Sequence, residues 1–281
     1  MVASEVIEDV EVWSGKGRGD ENFPVGSALI SRRLRPHVHA FYAFARVADD
    51  IADDTELAAE DKVSRLDRME AVLVGEAATG TATATALRAS LRETGVTDRH
   101  ARDLLAAFRQ DATKRRYASW DELLDYCRLS AMPVGRHVLD LHGETRDIWP
   151  ASDALCAALQ VLNHLQDCAK DFQALDRSYL PLDTLAAAGL SPAAVLEPTA
   201  SPALRNVLDG LLERTELLNQ AGAALPRSVR DRRLRLETAV IAGLSRRLAR
   251  RLRTGDPLAT RVKLRRSDVV ASVAGALKWL R

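Results

Sequence analysis

Apolar positions recur every three to four residues over most of the chain, and runs that alternate with a period of two are rare. That spacing gathers apolar side chains on one face of a helix, so the pattern predicts an all-α fold. From Pro24 to about Ala59 the spacing is helical, and Pro36 suits the first turn of the helix that follows it. A stretch of small residues, GEAATGTATAT (75–85), separates the next helices. Residues 101–113 and 119–141 read as two more. Pro133 and Gly135 inside the second predict a kink, because proline lacks an N–H and its ring crowds the preceding turn. Residues 151–173 read as a strongly apolar helix with a polar stripe. Beyond it, LDRSYLPLDTLAAAGLSPAAVLEPTASPALRN alternates short helices with proline turns. Two Arg-rich helices follow near 203–224 and 230–253, and a last one lies near the C-terminus. Residues 1–20 read as a flexible lead-in and 21–281 as one helical domain, with no internal repeat and no linker isolating a second core.

Composition narrows the function classes. Forty Lys+Arg against 39 Asp+Glu leave the chain near neutrality, which argues against nucleic acid as a partner. Cys127, Cys156 and Cys168 are far apart and form no CxxC pair, so no disulfide framework is expected and a cytoplasmic setting is the default. The N-terminus is acidic and lacks the apolar core of a signal peptide. No apolar run approaches the roughly 20 residues of a membrane span. The longest, VVASVAGAL (269–277), is expected to pack into a core, with contact at the inner face of a membrane as the alternative. SRRLARRLRTGD (245–256) is read first as a solvated helix face and second as a surface for anionic lipid.

Two carboxylate constellations carry the chemistry. In FYAFARVADDIADD (41–54), Asp49 and Asp53 share a helix face, as do Asp50 with Asp53 and Asp50 with Asp54. Like charges at that spacing repel, and no Lys or Arg lies between Asp49 and Asp54. The cluster is either an acidic helix end or a set of ligands for a hard divalent cation such as Mg²⁺. In ALQVLNHLQDCAKDF (158–172), Gln160, Asn163, Asp167 and Asp171 are spaced by three, four and four among apolar neighbours. That stripe is either a hydrogen-bond ladder or a second ligand set. Opposed across a bundle, the two sets would hold Mg²⁺ against a diphosphate. His164, off the stripe, is expected to be a hydrogen-bonded or surface residue. No ExxH pair, HExxH, Walker-A or GxSxG motif is present.

With those residues the chain resembles the squalene/phytoene synthase family, the head-to-head prenyl synthases of the all-α isoprenoid-synthase fold. The resemblance rests on YAFARVADDIADD (42–54), LNHLQDCAKDF (162–172), YASWDELLDYCRLSAMPVGR (117–136) and RSYLPLD (177–183), and runs from about residue 20 to 265. It implies a helical bundle with a central apolar cavity. It also implies that Asp49, Asp50, Asp53, Asp167 and Asp171 bind two or three Mg²⁺ ions, with Asn163 beside them. Arg46, Gln166 and Arg177 would contact diphosphate, Gln160 would face the cavity, and Tyr126, Gly135 and Tyr179 would line it.

The chain departs from the family pattern at three places. RGDENFPVGS (18–27) stands where many members carry a His-x-Ser-x-Ser-Phe-like stretch, Met132 or Pro133 replaces a kink glycine, and Gln166 and Lys170 replace an Arg and an acid. Together, ENFPV, PVGR and NHLQDCAKDF most resemble bacterial hydroxysqualene synthases of hopanoid biosynthesis. That implies ionisation of presqualene diphosphate and capture of water without NADPH, between a presqualene diphosphate synthase and a hydroxysqualene reductase. Asp20, Glu21 and Asn22 are expected to help place the water. Of the aromatic residues Phe41, Tyr42, Phe44 and Tyr126, the last is the one expected to face a carbocation. A synthase that condenses two prenyl diphosphates remains the alternative. A non-catalytic scaffold is the other, disfavoured by the survival of all five aspartates. Arg261, in RVKL, sits near a family position that reaches phosphate.

Overall fold

The computed structural model describes residues 10, 11 and 29–280, and every regular element among them is helical. The first group of helices is α1 (Arg35–Asp53), α2 (Ala59–Val74), α3 (Ala82–Thr94) and α4 (Arg99–Thr113). The middle of the chain supplies α5 (Trp120–Ser130), α6 (Met132–Leu141), α7 (Trp149–Gln166), α8 (Cys168–Leu175) and α9 (Leu182–Ala187). The last group is α10 (Pro202–Gly222), α11 (Leu225–Ser228), α12 (Arg232–Thr254) and α13 (Arg266–Ala276).

Helical apolar spacing translates directly into packing. On α1, Phe41, Phe44, Val47, Ala48 and Ile51 are buried against Leu66 and Met69 of α2, Leu87 of α3 and Leu104 of α4. Pro36 occupies the first turn of α1, as its missing N–H allows. A second core gathers Leu123 and Cys127 of α5, Val161 and Leu162 of α7, Leu208 and Leu211 of α10 and Leu248 of α12. α7 packs on α5, α6, α10 and α12, and α6 also touches α4, so these helices join the two cores.

Two expected helices are divided. The kink predicted inside 119–141 is a break at Ala131, whose φ of −125° and ψ of −48° leave helical space, and Pro133 falls in the first turn of α6. The helix expected over 151–173 bends at Asp167, with φ −106° and ψ 14°. The hydrogen-bond ladder runs on through the bend, from Asp167 N–H to Asn163 O and from Asp171 N–H to Asp167 O, both at 2.9 Å. The break of small residues is shorter than expected, since α3 already begins at Ala82.

The expectation that VVASVAGAL packs into a core is overturned. α13 turns Asp268, Ser272 and Ala276 inward and leaves Val269, Val270, Val273 and Leu277 exposed. Arg251 Nε donates to Asp268 Oδ2 at 2.5 Å and Arg247 Nε to Ser272 Oγ at 3.1 Å, which fixes the polar face of α13 against α12. Among the described residues no helix is long and apolar enough to cross a membrane. All three cysteines are free.

Candidate active site

α1 and α7 each run from an apolar cavity to a carboxylate end. Val38, Phe41, Tyr42 and Ala45 of α1 border a cavity of about 310 Å³, as do Leu155, Cys156, Leu159 and Gln160 of α7. One turn beyond Ala45 comes Asp49, and another turn brings Asp53, the last residue of α1. Asn163 and Asp167 likewise continue the side of α7 that carries Gln160, and Asp167 caps its C-terminus. The carboxylates therefore sit at the negative ends of two helix dipoles, and neither Lys nor Arg occupies the last turn of α1 or α7.

The aspartates differ in environment. Asp50 is buried and accepts from Arg46 Nη2 at 2.5 Å, while Arg46 Nη1 lies 2.9 Å from Asp49 Oδ2. Arg46, expected on diphosphate, is thus the countercharge missing from between Asp49 and Asp54. Asp49 and Asp53 each keep 37% of their side-chain surface open. Asp49 is open on one side only, and the burial of the rest, then the charge of Asp53, pushes it up to about 8. Asp171 is raised to about 7 by burial first and by Asp167 next, and it also feels Asp53 across the bundle. Asp167 is held by both arms of Arg261, at 2.9 and 3.0 Å. Asp54, expected to share the acidic face, instead accepts from the N–H groups of Glu56 and Leu57 at 2.8 and 3.1 Å and closes the turn after α1.

Arg177 ties the end of α1 to the end of α4. Its Nη1 donates to Asp53 Oδ1 and its Nη2 to Asp111 O, both at 2.9 Å. Burial opposes its charge, but Tyr179, Asp111 and Asp53 outweigh that and hold its pKa above the ordinary value. The RSYLP turn reaches this position because Asp176 adopts φ 50° at the end of α8 and Ser178 N–H bonds Arg115 O at 2.9 Å.

Several expected residues have other surroundings. Gln166 is buried and donates from Nε2 to Val262 O at 2.6 Å, so it holds the segment that carries Arg261. Tyr126 and Tyr179, expected in the cavity wall, are not among its lining residues. Tyr126 instead donates to Asp111 Oδ2 at 2.7 Å, and Tyr179 stacks on His164 with ring centres 3.4 Å apart. His164 is buried, not at the surface, and burial keeps it neutral by lowering it to about 3. Gly135 does line the cavity. A Cβ there would lie 2.7 Å from Cys156 Sγ, so glycine is what lets α6 close on α7. Phe41 and Tyr42 border the cavity, whereas Phe44 is wholly in the core. Asn22, with Asp20 and Glu21, lies outside the described residues.

Sequence reasoning missed Asp111 and Lys62. Asp111 is 2% exposed and raised to about 6 by burial. Its signal was present, since it continues the apolar stripe Leu104–Phe108 of α4. Lys62 is buried, donates to Ala52 O at 3.0 Å and stands near Asp53 and Arg177.

The donors at the rim suit Mg²⁺. They are carboxylate oxygens, and Asp49 and Asp171 are raised by burial first and by neighbouring carboxylates next, so a bound cation would favour their ionised forms. Among the described residues no group of three His, Cys, Asp or Glu is close enough to hold an ion alone. An ion bound here would complete its shell with water or phosphate oxygens, as Mg²⁺ commonly does.

The squalene/phytoene synthase family model matches residues 16–268. The chain belongs to this family. It is 49% identical over 267 residues to the hydroxysqualene synthase of Rhodopseudomonas palustris, covering 95% of this chain and 91% of that one. It is 48% identical over 258 residues to the hydroxysqualene synthase of Sinorhizobium fredii, covering 92% and 88%. The crystal structure of squalene synthase HpnC from Alicyclobacillus acidocaldarius superposes with a TM-score of 0.72 at 32% identity, over 82% of this chain and 87% of that one. As a squalene/phytoene synthase family member the chain is an enzyme of prenyl diphosphates with the family's helical fold.

Proposed function

We propose that the chain is a hydroxysqualene synthase, which ionises presqualene diphosphate and captures water without a nicotinamide. The observation that carries this reading is the shared course of α1 and α7 from an apolar cavity to a carboxylate rim. It suits a substrate that is hydrocarbon along its length and diphosphate at one end. The high identity to proteins named hydroxysqualene synthase supports this reaction over condensation of two prenyl diphosphates.

The reaction breaks a carbon–oxygen bond, and the electron pair leaves with diphosphate. Mg²⁺, when bound, supplies Lewis-acid neutralisation of the departing charge. Asp49, Asp53, Asp167 and Asp171 would hold it, whereas Asp50, expected among the ligands, is buried on Arg46, which also contacts Asp49. Arg177 and Arg261 add fixed positive charge beside the rim. Phe41 and Tyr42 offer ring faces to the cation in the cavity, and the aliphatic wall keeps water away while the carbon skeleton rearranges. One water then forms the new carbon–oxygen bond and loses its proton. Asp20, Glu21 and Asn22 are proposed to place that water. An unchanged product from Asn22→Ser would count against them.

This reading sets the chain after an enzyme that makes presqualene diphosphate and before a reductase of hydroxysqualene. Because substrate and product are long hydrocarbons, it also includes peripheral contact with the inner face of a membrane. Purified protein with Mg²⁺ and no nicotinamide is given presqualene diphosphate and farnesyl diphosphate in separate reactions. Hydroxysqualene from the first alone is the expected result. A cyclopropyl diphosphate or coupled hydrocarbon from the second reassigns the chain to the condensing enzymes.

A further inference from the structure

A second cavity, of about 440 Å³, lies between α12 and α13 on the far side of α12 from the substrate cavity. Its floor is made of small residues such as Ala242, Gly243 and Gly275, and its rim carries Arg227, Arg246, Arg247, Arg250 and Lys278. A Cβ on Gly243 would lie 3.1 Å from Ser272, so glycine there lets α13 pack closely on α12 beside the pocket. Of the five cations only Arg247 has a carboxylate within reach among the described residues, Asp268 at 3.9 Å. Four positive side chains therefore surround a small concave space without an acidic partner among the described residues, in a chain whose net charge is only +1.

The surroundings indicate what such a pocket takes. Trp279 lies at its edge, with Arg227 5.6 Å and Lys278 5.4 Å from its ring centre. On the rest of α13, Val269, Val270, Val273 and Leu277 are 42–67% exposed. A helix that turns its polar face inward and its valines outward beside a basic pocket is wasteful in water and suited to the boundary of a bilayer. The segment 223–227 also separates the two cavities: Ala223, Ala224, Pro226 and Arg227 border the basic pocket, and Leu225 borders the apolar one.

We propose that this pocket binds the phosphate headgroup of an anionic phospholipid, with the outward face of α13 resting in the acyl boundary. The inference extends the membrane contact included in the proposed function and is tested without turnover. Nucleic acid fits less well, because the valine face has nothing to do on a phosphate backbone. Free phosphate shares the pocket chemistry but likewise has no use for that face.

The test is co-sedimentation of the full chain with phosphatidylcholine vesicles, with and without about a third phosphatidylglycerol, at moderate salt. Binding to the anionic vesicles alone is expected. Arg246→Gln with Arg250→Gln is expected to lower it about 25-fold, at about five-fold per charge removed. Val270→Asp with Leu277→Asp, which leaves the basic rim intact, is expected to lower it as well. Equal binding to both vesicle types, or insensitivity to either pair, overturns the proposal. So does stabilisation by millimolar inorganic diphosphate that vanishes in the arginine pair while vesicles are ignored, because the site then serves free anions. A chain that makes no hydroxysqualene yet binds anionic vesicles keeps this inference and loses only the functional reading.

Discussion

Arg177 Nη1 donates to Asp53 Oδ1 at 2.9 Å across 124 positions of sequence, joining the turn after α8 to the last residue of α1. The arginine side chain is 3% exposed and its other arm holds the backbone of Asp111. Replacing it leaves the carboxylates of Asp53 and Asp111 without a buried countercharge. Arg177→Gln is expected to cost about 3–5 kcal/mol in urea unfolding, the usual penalty for removing one partner of a buried pair, here mainly Arg177 with Asp111, since Asp53 is partly open to water. Arg177→Lys restores little, because a single ammonium cannot reach both acceptors. Asp53→Asn in the Arg177→Gln background costs less than in the parent, and additive costs would show that the pair does not couple.

Asp171 and Asp50 test which of the carboxylates would serve as a ligand. Asp171 is raised by burial and by Asp167, so its ionised form is unfavourable until a cation arrives. Asp171→Asn is expected to raise the melting temperature of the metal-free protein at pH 8 by about 2–4 °C, equivalent to roughly 1 kcal/mol. It should also abolish the stabilisation given by Mg²⁺ and most of the turnover. Asp50→Asn behaves oppositely in stability. Its carboxylate is buried on Arg46 at 2.5 Å, and the variant melts below the parent with or without Mg²⁺.

The same carboxyls set a pH dependence. With Asp171 raised to about 7 and Asp49 to about 8, the folded metal-free chain binds more protons than the unfolded chain. Their contribution is fully present below the ordinary carboxylate range and is lost as pH rises through the folded values. His137 and His164, depressed to about 3, are neutral in both states above neutrality and do not oppose the trend. Thermal melts in EDTA are expected to fall between pH 7 and 8.5, and Mg²⁺ is expected to bind more tightly over that interval, with release of protons. A flat melting profile over that interval removes the electrostatic argument for the rim.

Much of the site was legible because helical spacing is local. Asp49 with Asp53, and Asn163 with Asp167 and Asp171, declare a shared face by counting residues alone. Asp111 was not legible in that way. A single carboxylate on the apolar stripe of α4 looks like an irregularity until Tyr126 and Arg177, which come from other parts of the chain, close around it. Arg261 was only loosely placed for the same reason, since its grip on Asp167 spans 94 positions. The fold was read correctly where apolar periodicity decides it and misread at α13. There, Asp268 and Ser272 are drawn inward by Arg251 and Arg247, and ion pairing outweighs the hydrophobic run.

Gly135 gives a packing test of the cavity wall. A methyl group at this position meets Cys156 and Ser152 of α7, so α6 must move outward or the side chains must change rotamer. Gly135→Ala is expected to cost about 1–3 kcal/mol in unfolding, the range for overpacking a tight contact. Gly135→Ala with Cys156→Ala relieves part of the clash and recovers part of the stability. Strict additivity in that pair would mean the two helices do not meet through these residues.

Two aromatic residues distinguish direct from indirect support of the carbocation. Phe41 borders the cavity, stacked at 3.9 Å on His137, which burial keeps neutral. Tyr126 lies below the rim, and its hydroxyl holds the buried carboxylate of Asp111. If ring faces matter at the cavity wall, Phe41→Leu removes a desolvated cation–π contact of about 2 kcal/mol, or about 30-fold in turnover. Tyr126 should follow a different rule. Tyr126→Phe keeps the ring but leaves Asp111 Oδ2 without its donor, costing about 1–3 kcal/mol of stability. Its turnover should fall as far as that of Tyr126→Leu, because the hydroxyl carries the role. Full turnover in Tyr126→Phe with a loss only in Tyr126→Leu would move Tyr126 back to the cavity wall, where the family resemblance had put it.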